Sequence, residues 1–169
     1  AAGALSVSGA RLSARGARGG GVRRTPYGMP FSATSSVKVN APVARVWAAL
    51  TDPALVKQYF FGTELSTDWR VGSPLFFRGT YDGKTYEDRG TVKSFDPPRS
   101  LSYDYWSSMS GHDDLPELRA LVRFELRELD GGVVELTVVQ SNLATQARAD
   151  DAGKNWPVVL EGLRRVVQG

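Results

Sequence analysis

The chain has no cysteine. That excludes a disulfide framework, a thiolate nucleophile and a zinc–thiolate centre at once. It has one histidine, His112, so no site built on two imidazoles can form. No apolar run approaches the roughly 18–20 residues that a membrane-spanning helix needs. Acidic residues are missing from 1–28 altogether, while Arg11, Arg15, Arg18, Arg23 and Arg24 all fall there. The formal charge of +3 therefore belongs to the N-terminal segment. Without its five arginines, the 21 basic residues fall to 16 against 18 acidic ones, a balance of −2. In that remainder Lys and Arg alternate with carboxylates and form no basic face, which argues against nucleic acid as a partner.

Residues 1–28 are mostly Ala, Gly, Ser and Arg, with Leu5, Val7, Leu12 and Val22 as their only aliphatics larger than alanine. Such a segment cannot bury enough surface to offset its ordering entropy. The division expected is a disordered leader over 1–31 and one domain over 32–169. The leader reads as a remnant or upstream translation, with Met29 as a natural start. The alternatives are an organellar presequence, which is Arg- and Ser-rich and acid-poor, and, ranked last, a nucleic-acid-binding arm. The expected location is cytoplasmic, with organellar import if the presequence reading holds.

Aromatic residues make up only 10% of the chain, yet "RVWAALTDPALVKQYFFG" sets Trp47, Tyr59, Phe60 and Phe61 close together. The pattern around them fixes the fold class. "FSATSSVKV" alternates and predicts a strand at about 32–40. Pro42 suits a helix opening, and Val43, Val46, Trp47 and Leu50 recur at helical spacing. "TDP" stops that helix and starts another short one, carrying Leu55, Val56, Tyr59 and Phe60 and ending at Gly62. Strands then follow one another through tight turns such as "DGK" and "DGG". One face carries Leu65, Thr67 and Trp69, then Leu75, Phe77, Gly79 and Tyr81, then Tyr86, Asp88, Gly90 and Val92. It continues through Leu101, Tyr103 and Tyr105, then Ala120, Val122, Phe124 and Leu126, and finally Val134, Leu136, Val138 and Gln140. Arg119, Arg123, Glu125 and Arg127 are expected to face mostly outward.

The C-terminal segment shows a helical stripe of Trp156, Val159, Leu160, Leu163, Val166 and Val167. Pro157 predicts that this helix begins near Asn155, with a separate short helix over about 144–151. The architecture expected is α+β: a curved antiparallel sheet of about six to seven strands around a long C-terminal helix, with two short helices after the first strand. A strongly bent sheet around a helix leaves space between them.

"VWAALTDP", "YFFG", "DWRVGSPLFF", "FDPPRSLSYDYW", "VRFEL", "LTVVQSNL" and "NWPVVLEGL" together resemble the family of activator-of-heat-shock-protein-90-ATPase homologues. That family lies in the START-like superfamily, also called SRPBCC, of polyketide cyclases and birch-pollen-allergen-like proteins. The resemblance covers about 34–167. It implies a helix-grip fold around an apolar cavity, with the helix bearing Phe60 near the entrance. Two departures stand out: Gln140 replaces a His common in the family, and Ser73 replaces a Gly.

Catalytic signals are few. His112 sits beside Asp113 and Asp114 in a polar loop and reads as a solvated turn. No GxSxG elbow and no metal-ligand cluster is present, and no cofactor or metal is expected. The inward faces carry more information, because an apolar wall with a few polar anchors is how small-molecule pockets are built. The residues expected to line or rim such a pocket are Phe60, Trp69, Phe77, Tyr86, Asp88, Tyr103, Tyr105, Phe124, Gln140, Trp156 and Leu160. Asp88 has two readings: it faces the cavity, or a bulge near Gly90 turns it to solvent, which has the edge. The function expected is non-enzymatic binding, sequestration or sensing of a small hydrophobic molecule. The alternatives are a cyclase-like enzyme using Asp88, Tyr103 and Tyr105, or a co-chaperone module, for which a chaperone partner ranks last. A homodimer is allowed.

Overall fold

The computed structural model describes residues 27–169, so the leader expectation on 1–31 and the import expectation on 1–28 lie outside the described residues except for their last few positions, and Phe31 already opens β1. Strand β1 (Phe31–Val39) leads into helices α1 (Val43–Thr51) and α2 (Pro53–Tyr59). Strands β2 (Glu64–Ser66), β3 (Pro74–Tyr81), β4 (Lys84–Asp96), β5 (Ser100–Tyr105), β6 (Ala120–Leu129) and β7 (Val133–Leu143) follow, with a 3-10 turn at Pro116–Leu118. Helix α3 (Gln146–Gln168) ends the chain. The seven strands form one antiparallel sheet in the order β1-β7-β6-β5-β4-β3-β2. Chain order therefore sets spatial order everywhere except at β1, which crosses over to pair with β7.

Local chemistry accounts for the connections. Asp82 and Gly83 take φ of 49° and 74°, as the tight β3–β4 hairpin requires, and Gly131 and Gly132 do the same between β6 and β7. Asp52 caps α2 by accepting from the Ala54 N–H at 2.9 Å. Arg45 on α1 donates from Nη2 to the Val167 carbonyl at 2.5 Å, tying α1 to the last turn of α3.

The period-two pattern holds along the sheet. Leu75, Phe77, Tyr86, Val92, Leu101, Tyr103, Val122, Phe124, Leu136 and Val138 are all buried, and α3 covers them with Trp156, Val159, Leu160, Leu163 and Val167.

Three expectations need correction. First, α3 is one continuous helix from Gln146, capped by Thr145 Oγ1 accepting from the Arg148 N–H at 3.2 Å, and Pro157 lies inside it. Pro157 and Gly153 are both exposed, so the carbonyl that proline leaves without an N–H partner faces water instead of the core. Second, β2 stops at Ser66, and Trp69 lies beyond it with φ of 61°. Third, Arg119 precedes β6 and does not face solvent: its side chain is 17% exposed and pairs with Asp104 at 3.0 Å and Asp114 at 2.7 Å. Asp104 is buried on the other face of β5 and also accepts from the Thr91 N–H and the Tyr27 hydroxyl, each at 2.7 Å. Asn142 completes this side, taking the Met29 N–H at 2.7 Å and donating to the Arg119 carbonyl at 2.7 Å.

Candidate functional site: the wedge between sheet and terminal helix

Helix α3 packs chiefly along β1, with α2 and β7 as its next neighbours. The wedge left over β3–β6 is filled from the sheet by Phe77, Leu101, Tyr103 and Phe124, and from α3 by Val159, Leu160 and Leu163. The α1–α2 side closes it with Leu50, Val56, Tyr59 and Phe60, together with Leu65 and Trp69. These residues surround a cavity of about 20 Å³. A single water needs roughly 10–15 Å³ on the same measure, and a ligand pocket runs to roughly 300–1,000 Å³. The roomy hollow expected from the bent sheet is thus corrected to a nearly filled interior. Large rings do the filling: Phe77 lies 5.8 Å from Tyr103 and 5.7 Å from Phe60, and Phe124 meets Trp156 edge-on at 5.6 Å.

Of the residues singled out from sequence, Phe60, Trp69, Phe77, Tyr103, Phe124 and Leu160 border the cavity, and Tyr86, Asp88, Tyr105, Gln140 and Trp156 do not. The latter group is buried but engaged elsewhere. Trp156 Nε1 donates to Gln140 Oε1 at 2.8 Å. Tyr86 and Thr63 share a hydroxyl–hydroxyl bond of 2.5 Å. Tyr105 donates to Asp88 Oδ2 at 2.6 Å, while the Ser108 N–H and hydroxyl donate to Oδ1 at 2.9 and 3.0 Å.

Asp88 is 0% exposed, so the favoured solvent-facing reading is corrected. The register shift in β4 falls between Val92 and Ser94, past Gly90, and leaves the parity of Asp88 intact.

Sequence reasoning missed Leu50, Val56, Leu65, Leu101, Val159 and Leu163 as wall residues. The helical spacing of 159, 160 and 163 and the shared face of 101 and 103 held that signal.

The polar groups of the wall are few. Tyr59 donates to the Ala49 carbonyl at 2.7 Å, and Trp69 Nε1 donates to the Thr51 carbonyl at 3.1 Å. Tyr103 makes no hydrogen bond among the described residues, and because no fully buried side-chain polar atom there lacks a partner, its hydroxyl keeps some accessible surface. Burial pushes the phenols of Tyr59 and Tyr103 far up, so both stay protonated. No charged side chain borders the cavity. His112 lies on the loop after β5, where its Nδ1 meets the Asp113 carbonyl at 2.9 Å, and it has no role in the wedge. Among the described residues no acidic or histidine cluster could hold a metal ion, and no helix is long and apolar enough to cross a membrane.

Burial is the largest influence on Asp88 and lifts its carboxyl above the ordinary value of 3.8, against the pull of Tyr105 and Ser108. A group whose pKa is higher in the folded than in the unfolded chain favours folding while protonated. Its contribution is full below 3.8 and is lost as pH rises through the folded value. Asp88→Asn stays neutral and keeps an acceptor for Ser108. The variant is expected to gain stability relative to the wild type as pH rises from about 4 toward neutrality. Urea titrations across that range check this, and two curves that stay parallel would refute it.

A curved antiparallel sheet gripping a C-terminal helix over an enclosed apolar wedge defines a helix-grip protein. The model of the "Activator of Hsp90 ATPase homolog 1-like protein" family matches residues 40–168, and the chain belongs to that family. A solution structure from Cytophaga hutchinsonii is 36% identical, with a TM-score of 0.72 over 83% of this chain and 95% of that one. DynU16, a protein of the dynemicin biosynthetic locus, is 23% identical, with a TM-score of 0.68 over 81% of this chain and 47% of its own. The Aha1 dimer from Colwellia psychrerythraea is 17% identical, with a TM-score of 0.63 over 82% and 96%. No functionally curated protein matches the chain.

Proposed function

We propose that the domain binds a small hydrophobic molecule without transforming it, in the wedge between the sheet and α3, and that α2 moves to admit it. One observation carries this reading. An apolar, aromatic-lined cavity is closed on one side by short elements: Leu50 near the end of α1, the seven-residue α2, the three-residue edge strand β2 and Trp69 just beyond it. Elements that short, with few ladder bonds, are where local opening costs least. The connection after α2 is also irregular: Phe61 and Gly62 take φ of 55° and 73°, and Phe61 is 50% exposed beside buried Phe60. The carboxylate and phenols that a cyclase would use offer less support, because Asp88 and Tyr105 are bonded to each other away from the cavity. The family's name and the dimer described for the Colwellia protein support a chaperone-binding homodimer as the second reading.

The test is uptake of 2-acetylnaphthalene by the wild-type protein, followed by stopped-flow quenching of tryptophan fluorescence. Because α2 must move first, the association rate is expected to fall well below the ~10⁵–10⁷ M⁻¹s⁻¹ typical of docking to a preformed surface. Phe60→Ala should raise that rate about tenfold or more by removing the ring that plugs the wedge. No uptake by the wild type would refute the reading. Uptake at an unchanged rate in the variant would make Phe60 plain core.

A further inference from the structure

The wall of the wedge contains only three side chains with a hydrogen-bonding group, and two of them are already bonded to backbone carbonyls of α1. The third, Tyr103, stands in the middle of the sheet on β5, between Phe77 and Phe124. It is 5% exposed, and its hydroxyl has no partner among the described residues. No fully buried side-chain polar atom among the described residues lacks a partner, so the Tyr103 oxygen keeps some accessible surface, and a group entering the space beside it finds a free donor there. Elsewhere in this interior the rule is the opposite: Tyr59, Tyr86, Tyr105, Trp156 and Asp88 all have partners at 2.5–3.0 Å.

A lone water could enter the cavity, but buried waters ordinarily make about three hydrogen bonds. Here Tyr103 offers one free group, so a ligand oxygen could replace such a water at little loss. The wall also lacks any Lys, Arg or His to balance an anion, and a carboxylate moved there would forfeit its hydration without compensation.

We propose that the Tyr103 hydroxyl is the polar anchor of the wedge, and that the ligand is a neutral apolar molecule carrying one hydrogen-bonding oxygen, such as a ketone or ester. This rests on the reading that the wedge admits a ligand at all. The phenolic O–H donates to the ligand oxygen while Phe77, Phe124, Leu160 and their neighbours enclose the apolar body.

Three probes of one shape separate the possibilities: 2-acetylnaphthalene, its isostere 2-isopropenylnaphthalene, which has C=CH₂ in place of C=O, and 2-naphthoate. Each is titrated into the wild-type protein and Tyr103→Phe by isothermal calorimetry. The ketone-to-alkene affinity ratio is expected to fall about 5- to 10-fold in Tyr103→Phe, with alkene binding unchanged. The melting temperature of the variant should stay level or rise, since the hydroxyl it loses has no partner. The wild type should bind 2-naphthoate at least ~100-fold more weakly than the ketone. A ketone-to-alkene ratio that is the same in both proteins would overturn the anchor and leave the apolar wedge standing. Binding of 2-naphthoate on a par with the ketone would overturn the neutral-ligand assignment. Failure of the wild type to bind either uncharged probe would remove the ligand-binding reading itself, and the anchor with it.

Discussion

Trp156→Ala is expected to lower the unfolding free energy by about 3–5 kcal/mol, the range for truncating a large aromatic in a packed core. Trp156 is among the largest fully buried side chains, and its ring packs near Phe60, at the C-cap of α2, and Phe124 from β6. Its Nε1–H also donates to Gln140 Oε1, an amide buried on β7. Truncation therefore removes apolar burial and leaves a polar acceptor short of its donor, two separate costs. Trp156→Phe should recover a good part of the loss, because a ring is retained and only the Gln140 contact stays broken. Equilibrium urea denaturation of the two variants measures both. A loss below about 1 kcal/mol for the alanine variant would mean that the interior is loosely filled, contrary to the packing described.

Gly90→Ala is expected to cost about 3 kcal/mol, at the upper end for forcing atoms into a packed site. A Cβ built on Gly90 would lie 2.0 Å from the Asp104 carbonyl oxygen. The obstacle is backbone of the neighbouring strand, so no rotamer change can relieve it. Gly90 sits where β4 passes from its pairing with β3 to its pairing with β5, and close approach of two backbones is a role only glycine fills in a strand. The bonds at risk lie on both sides. Thr91 gives its N–H to Asp104 Oδ1, and Asp88 holds Tyr105 and Ser108. Thermal unfolding and the near-ultraviolet circular dichroism of the tyrosines should both report the change. A variant as stable as the wild type would show that β4 and β5 separate there more easily than the geometry allows.

The alternation of β3 to β7 was legible because one face meets the core and the other meets water, so hydrophobicity itself records the pleat. The hairpin at Asp82–Gly83 was legible because few other pairs accept two positive φ values. Three features were not. Pro157 reads as a helix boundary, yet the damage it does falls on an exposed carbonyl at Gly153, and exposure is a property of the assembled fold. The Asp104–Arg119–Asp114 cluster joins residues from β5, a loop and the approach to β6, and nothing in their spacing announces it. The filling of the wedge depends on summed side-chain volumes against sheet curvature, which a face-by-face reading cannot supply. The same alternation that placed Tyr103, Tyr105 and Asp88 inward could not tell which of them would already be paired. That distinction is what separates a wall residue from a structural bond.

The central claim is that an apolar guest sits inside the wedge and not on the outer surface. Isotope-filtered nuclear Overhauser spectra of methyl-labelled protein saturated with 2-acetylnaphthalene test it most directly. The account predicts contacts from the ligand to the methyls of Leu65, Leu101, Leu160 and Leu163, all buried around the cavity. Contacts confined to exposed methyls such as those of Val71 or Val158, with none to the buried leucines, would contradict it.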